Sequence, residues 1–207
     1  QPGGEHTIHP LDTIENEWLT YSLPAWQLNF KFKPTDFTQV NPSVNQKMVA
    51  LALELLDVQP SDRVLDFFCG LGNFTLPLAT KALEVVGIEG CDKMTQRAAM
   101  NAADNNIDNV SFFQANLFEA VKDAQWFAEK FDKILLDPPR AGAKEICEQM
   151  AQLGAKKIVY VSCQTTTLAR DAKILAAQGY ELSEAGVMDM FPHTAHVESI
   201  AVFNKIS

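Results

Sequence analysis

From Val44 onward the apolar positions fall at helical spacing. In "PSVNQKMVALALELLDV" (42–58), Val44, Met48, Leu51 and Leu55 recur every three or four residues and predict one buried face, with Pro42 and Ser43 at the helix start. The pattern then changes to short, solid apolar runs. "DRVLDFF" (62–68), "EVVGIEG" (84–90), a part of "VSFFQANLF" (110–118), "KILLD" (133–137) and "KIVYVSC" (157–163) have the length and β-branched content of buried strands. Between them, residues 72–82, 92–106, 143–154 and 167–179 read as helices. Strands alternating with helices predict an α/β fold: a mostly parallel sheet with helices on both faces. The last two runs, 180–191 and 197–206, have no helix between them and predict a terminal antiparallel hairpin. Upstream, "WLTYSLPAWQLNFKFKPTDF" (18–37) alternates polar and apolar residues around proline-marked turns, which predicts short strands or a hairpin. The texture therefore divides the chain into a β segment, 1–38, and an α/β body, 39–207.

Composition narrows the class. The 207 residues are 47% hydrophobic and 21% charged, the balance of a globular protein. The formal net charge of −9 argues against a broad nonspecific nucleic-acid surface, because phosphate binding is driven by Lys and Arg, but leaves room for a local basic patch. No apolar run is long enough to span a bilayer. Cys69, Cys91, Cys147 and Cys163 form no CxxC pair, which disfavours a zinc or iron–sulfur site built from them and fits reduced thiols in a cytoplasmic protein. The chain opens on Gln1, without Met, and reads as a piece of something longer.

In an open α/β sheet, ligands bind outside the carboxyl ends of the strands, and the informative residues fall there. After the 62–68 strand, "DFFCGLGNF" places Gly70 and Gly72 where a backbone must turn sharply and approach a ligand, with Phe68 before them and Asn73 after. The third glycine of the dinucleotide fingerprint is missing, which lowers the odds for NAD. Glu89 ends the next strand, about twenty residues on, where an acid accepts hydrogen bonds from ribose hydroxyls. Asn116 follows the third strand; an adenine contact and a plain turn role fit its spacing equally. Asp137 ends a very apolar strand, and Pro138 and Pro139 stiffen the adjoining loop into a shelf. Cys163 occupies the equivalent place on the next strand. Buried and inert is the usual fate of a cysteine, yet Ser162, Gln164 and the threonines beside it make a polar setting that favours a thiol facing the crevice.

Together, "DFTQVNPSVNQKMV", "DFFCGLGNFTLPLA", "VVGIEG", "LLDPPRAG", "IVYVSC", "TLARD" and "DMFPHTAHVES" make the chain resemble the S-adenosylmethionine-dependent RNA uracil-5-methyltransferases, most of all the RumA type that acts on 23S ribosomal RNA. The resemblance runs from Phe37 to the end; residues 1–36 look like the tail of the central β region that precedes the catalytic domain. It implies a Rossmann-like methyltransferase fold with S-adenosyl-L-methionine contacts from Gln39, Phe68, Asn73, Glu89, Asn116 and Asp137. It further implies Cys163 as nucleophile and Glu198 as general base; on its residues alone, Glu198 is a strand-edge acid. The implied partner is RNA, with no membrane, a monomeric state, and an iron–sulfur cluster only in sequence preceding this chain. One departure stands out: the family commonly has Asn-Pro after Ser-Cys, whereas this chain has Gln164 and Thr165, which puts the rigidity of the nucleophile loop in question.

The chemistry explains the residue types. C5 of uracil is a poor nucleophile, and a thiolate adding to C6 makes it a good one. A free thiol has a pKa of about 8.5, so the site must favour ionisation or supply a base, and the helix start after Cys163 is one source of help. A base must later remove the C5 proton. His193 and His196 lie near Glu198 but read as structural, and Asp137 suits an orienting bond to a ring N–H. A transfer-RNA uracil or RNA cytosine-5 enzyme remains open on these residues, as does a noncatalytic cofactor- and RNA-binding module. Exocyclic nitrogen methylation is disfavoured by Arg140 standing where that chemistry uses an aromatic.

Overall fold

The structure, a computed structural model, describes residues 18–194 and 196–206. Residues 1–17 of the expected β segment lie outside the described residues. The rest of that segment is a hairpin, β1 (Leu19–Leu23) and β2 (Leu28–Phe32), paired from Leu19↔Phe32 to Leu23↔Leu28 around a 3-10 turn at Pro24–Trp26. The body comprises α1 (Pro42–Leu56), β3 (Arg63–Phe67), α2 (Thr75–Ala79), β4 (Glu84–Glu89), α3 (Asp92–Asp104) and β5 (Val110–Gln114). It continues through β6 (Lys133–Leu136), α4 (Lys144–Cys147), α5 (Met150–Leu153), β7 (Lys157–Ser162), α6 (Thr165–Ala177), β8 (Tyr180–Met188) and β9 (Glu198–Lys205).

The large sheet has the order β5-β4-β3-β6-β7-β9-β8. β3 to β7 pair in parallel, and β9 runs antiparallel to both β7 and β8, as the missing helix between the last two runs predicted. The chain winds outward from β3 through β4 to β5, then returns to lay β6 against the other side of β3. That reversal opens a crevice above the carboxyl ends of the central strands. Period-2 alternation sorts the side chains into two cores: Val159 and Val161 of β7 face one layer with Met48, Leu53 and Leu76, while Ile158 and Tyr160 face the other with Trp126, Leu136 and Phe203.

Three expectations need correction. α1 exists, begun by Pro42 and capped by Asn41, whose side chain accepts the Val44 N–H at 3.2 Å. Its buried face, however, is Met48, Val49, Ala52, Leu53 and Leu56, leaving Val44, Leu51 and Leu55 half-buried at the edge of the same core. The helix expected over 72–82 is only α2, because φ is positive at Phe68 (62°), Gly70 (55°) and Gly72 (94°) and the chain coils through tight turns first. The 143–154 stretch is two single turns, α4 and α5, interrupted at Gln149.

The hairpin is tied to the body by side chains that imitate a strand. Asn101 of α3 accepts the Lys31 N–H at 2.9 Å and donates to its carbonyl at 3.3 Å; Asn105 does the same for Asn29, at 2.8 and 2.7 Å. These bonds satisfy an edge of β2 that would otherwise present bare backbone groups. Leu23 and Phe30 are wholly buried in the same core as α1.

Candidate active site

A cleft of about 600 Å³ lies over the carboxyl ends of the strands. Phe68 and Gly70 reach it from the end of β3, Glu89 from β4, Asn116 from beyond β5, Asp137 from β6 and Cys163 from β7. Because β9 is reversed, its first residue, Glu198, arrives at the same edge. Gln39 and Asn73 complete the wall. Gly72 is the one expected contact that does not line the cleft: its N–H closes a turn onto the Cys69 carbonyl at 2.9 Å, and a Cβ there would sit 3.3 Å from Leu76 Cγ. Gly72 shapes the loop, and Gly70 faces the cleft.

Glu89 is held by its own backbone surroundings. One oxygen accepts the Gly70 N–H at 3.0 Å, the other the Cys91 N–H at 3.0 Å. Each carboxylate oxygen keeps lone-pair capacity for a hydroxyl donor. Asn73 is more constrained than the sequence suggested. It exchanges amide bonds with Asn45 at 2.9 and 3.0 Å, and its Oδ1 also accepts the Tyr21 hydroxyl at 2.9 Å. Asn116 does perform the turn role, with Oδ1 accepting the Phe118 N–H at 3.1 Å and Nδ2 donating to Glu119 at 2.7 Å, while still lining the cleft.

The other end of the cleft concentrates acids around the thiol. Glu198 is 5% exposed, and burial pushes its carboxyl up. Asp137 is pushed well up by burial, then by the negative charges of Glu198 and Asp66. Cys163 is half-buried, and its thiol is raised by burial, then by Glu198 and Asp137, with Arg140 pulling the other way. α6 begins at Thr165, two residues beyond the nucleophile, and a hydrogen bond to the backbone also lowers the thiol without cancelling the effect of burial and the two acids.

Several wall residues carried no clear sequence signal. Phe37 is 72% exposed at the mouth, Phe118 stands 6.0 Å from Phe68, and Tyr21 and Met94 close the apolar side. Arg140 and His196 line the cleft with Nη2 and Nε2 3.4 Å apart, and Phe191 meets the His196 ring edge-on at 6.0 Å. His196 therefore faces the cleft, whereas His193 is exposed and is not part of the wall. The place of Arg140 directly beyond Pro139, at a strand end, was the one signal available for it.

A family model for tRNA (uracil-5-)-methyltransferase matches residues 12–206. The chain is 54% identical over 206 residues to 23S rRNA (uracil(1939)-C(5))-methyltransferase RlmD of Xanthomonas campestris pv. campestris, covering 99% of this chain and 46% of that protein. It is 53% identical over 201 residues to the protein of the same name from Francisella tularensis, covering 96% and 44%. The chain thus spans about half the length of the curated relatives it matches. Among solved structures, Pyrococcus abyssi tRNA (uracil-54, C5)-methyltransferase in complex with S-adenosyl-L-homocysteine superposes with a TM-score of 0.77 at 32% identity, over 91% of this chain and 44% of that one. M. jannaschii TYW2 in complex with AdoMet shares the fold, with a TM-score of 0.68 at 16% identity over 94% and 90% of the two chains. With the family model matching nearly its whole length, the chain belongs to the tRNA (uracil-5-)-methyltransferase family.

Proposed function

We propose that the chain is the catalytic part of an S-adenosylmethionine-dependent methyltransferase acting on C5 of a uridine in 23S ribosomal RNA through a covalent bond between Cys163 and C6. The observation that carries the reading is that Cys163 and Glu198 share one cleft with Gly70 and Glu89. The names of the relatives above half identity support the ribosomal substrate; the Pyrococcus abyssi structure supports transfer RNA as the second reading. A cytoplasmic monomer with RNA as its partner, divided into the 1–38 β segment and a 39–207 catalytic domain, belongs to the same reading. Among the described residues no helix is long and apolar enough to cross a membrane.

The residues present fit the methyl donor. Beside Gly70, only Met94 Cε at 3.9 Å approaches the place of a Cβ, so the backbone there is open to a ligand. Glu89 has acceptor capacity for ribose hydroxyls, and Asn116, Phe68 and Phe118 would offer polar and apolar wall to the base. Gln39, Asn73 and Asp137 complete the contacts. When bound, the donor supplies a methyl group on a positively charged sulfur.

The chain's own groups perform the remaining steps. The Cys163 thiolate forms a bond to C6, and the C5–C6 π pair moves toward C5 and O4. C5 then takes the methyl group, the donor sulfur keeping the bonding pair. Glu198 removes the C5 proton; its raised pKa makes it a better base than an exposed carboxylate. The C5–H pair restores the ring double bond and the C6–S bond breaks, returning the thiolate. Asp137, at the edge of the stiff Pro138–Pro139 shelf, orients the ring by accepting a bond from a ring N–H. The test is incubation with S-adenosylmethionine and transcripts of 23S ribosomal and transfer RNA, and then nucleoside mass spectrometry. The reading expects 5-methyluridine in the ribosomal transcript; methylation of transfer RNA alone selects the second reading, and methylated cytidine overturns both.

A further inference from the structure

Eight residues beyond Cys163, α6 carries a wholly buried carboxylate, Asp171, that has no part in the steps above. Its bonds reach β7 and the loop before α4, and a neighbour on its own helix. Oδ2 accepts the Tyr160 hydroxyl of β7 at 2.7 Å and the Ala143 N–H at 2.7 Å; Oδ1 accepts Arg170 Nε at 2.8 Å. Arg170 then donates from Nη2 to the Ala141 carbonyl at 2.9 Å, and Thr167 Oγ1 donates to the Arg140 carbonyl at 3.2 Å. Three successive stations of the loop after Pro139 are therefore bonded to side chains of one helix, and the loop is closed on itself by Gly142 N–H to the Pro139 carbonyl at 2.8 Å. The approach is so close that a Cβ on Gly142, where φ is +77°, would lie 2.5 Å from Asp171 Oδ2.

The two ends of this joint are the working parts of the site. The loop leads out of Asp137 and carries Arg140; the helix begins just behind Cys163. Gln164, at the N-cap of α6, makes no side-chain capping bond among the described residues, and the proline common in the family just after the nucleophile is absent here. Ser162 Oγ brackets the nucleophile by bonding the Gln164 N–H and carbonyl at 3.1 Å each, and the buried network adds its stiffness from the middle of the same helix. A buried anion with every strong donor aimed at it is rigid, because moving any partner leaves charge unpaired in a poorly solvated interior.

We infer that Asp171 is a positioning residue: through Tyr160, Ala143 and Arg170 it sets the spacing between the Cys163 sulfur and the shelf that holds the pyrimidine. The inference rests on the proposed function. It assigns Asp171 to the covalent step and not to the binding of the methyl donor, whose contacts, Asp137 apart, include Gly70, Glu89 and Asn116 on the β3-β4-β5 half of the sheet.

The test uses Asp171→Asn, Tyr160→Phe and Gly142→Ala in the chain. Two quantities are read: the single-turnover rate of covalent capture of a 5-fluorouracil-substituted 23S ribosomal RNA fragment, and the calorimetric affinity for S-adenosylmethionine. A misplacement near one ångström slows a positioned reaction roughly a hundredfold, so capture by Asp171→Asn is expected to slow about ten- to a hundredfold while donor affinity stays within about twofold. Tyr160→Phe, which loses one hydroxyl and keeps the core volume, carries the test if Asp171→Asn does not fold. Unchanged capture by the folded variants overturns the inference alone, as does a parallel loss of donor affinity, which marks Asp171 as a general structural residue. No capture by the unaltered chain overturns the proposed function, and the inference with it.

Discussion

The Cys163 thiol is opposed by its neighbours. Glu198 and Asp137 add negative charge to a half-buried sulfur, and Arg140 only partly offsets them. Removing one of those charges lowers the thiol pKa and raises its thiolate fraction. At about pH 8, Glu198→Gln is therefore expected to speed alkylation of Cys163 by iodoacetamide, read by peptide mapping to separate it from exposed Cys91; an unchanged or slower rate contradicts the electrostatic account. Most of this site was legible residue by residue, because strand-end positions in an α/β sheet converge by topology and not by local sequence. Arg140 and His196 were not legible in their roles: their 3.4 Å approach depends on how the β8–β9 connection folds back, and no periodicity encodes that. Asn116 shows that a residue can fill its plain turn role and still line the cleft.

At the scale of elements, the strands were the most readable part, since solid apolar runs of five or six residues admit few other structures. Helix lengths were misread wherever backbone conformation overrode composition. The coil through Phe68, Gly70 and Gly72 postpones α2 to Thr75, and the turn at Gln149 breaks the 143–154 stretch into two. The hairpin has a consequence that its alternating pattern did not announce. Tyr21 of β1 and Asn45 of α1 together hold the Asn73 amide in one orientation on the cleft wall. Losing a pair of such bonds costs about 1–2 kcal/mol, so Asn45→Ala is expected to weaken S-adenosylhomocysteine binding roughly tenfold by calorimetry. Affinity equal to that of the parent chain would show that Asn73 does not need its clamp.

The whole molecule places a buried carboxyl directly beneath the cleft. Asp66 is fully buried on β3; Thr75 donates to one oxygen at 2.6 Å, and the other has no hydrogen-bond partner among the described residues. Burial, with the charge of Glu89 adding to it and Thr75 opposing, pushes the carboxyl up to about 7. In the unfolded chain it returns to 3.8, so the native state retains a proton that the unfolded state releases. Its stabilising contribution is complete below the unfolded value and is lost as pH rises toward 7, amounting to on the order of 4 kcal/mol. Asp66→Asn should therefore flatten the decline in urea-unfolding stability between about pH 4 and pH 8; parallel curves for the two proteins would mean that Asp66 is not the buried acid responsible. The alternation of elements made the parallel sheet and its terminal hairpin legible, but the strand order with its reversal at β3 is set by tertiary packing that no local pattern encodes.

The central claim is that the Cys163 sulfur attacks a pyrimidine held over the same cleft as the methyl donor. It is tested most directly by incubating the chain with S-adenosylmethionine and a 5-fluorouracil-substituted 23S ribosomal RNA fragment, then mapping the crosslinked peptide by mass spectrometry. Because fluorine at C5 leaves no proton for Glu198 to remove, the account predicts a stable methylated adduct on Cys163, dependent on the donor and absent from Cys163→Ala. An adduct on Cys69, Cys91 or Cys147, or capture that survives the loss of Cys163, would contradict it.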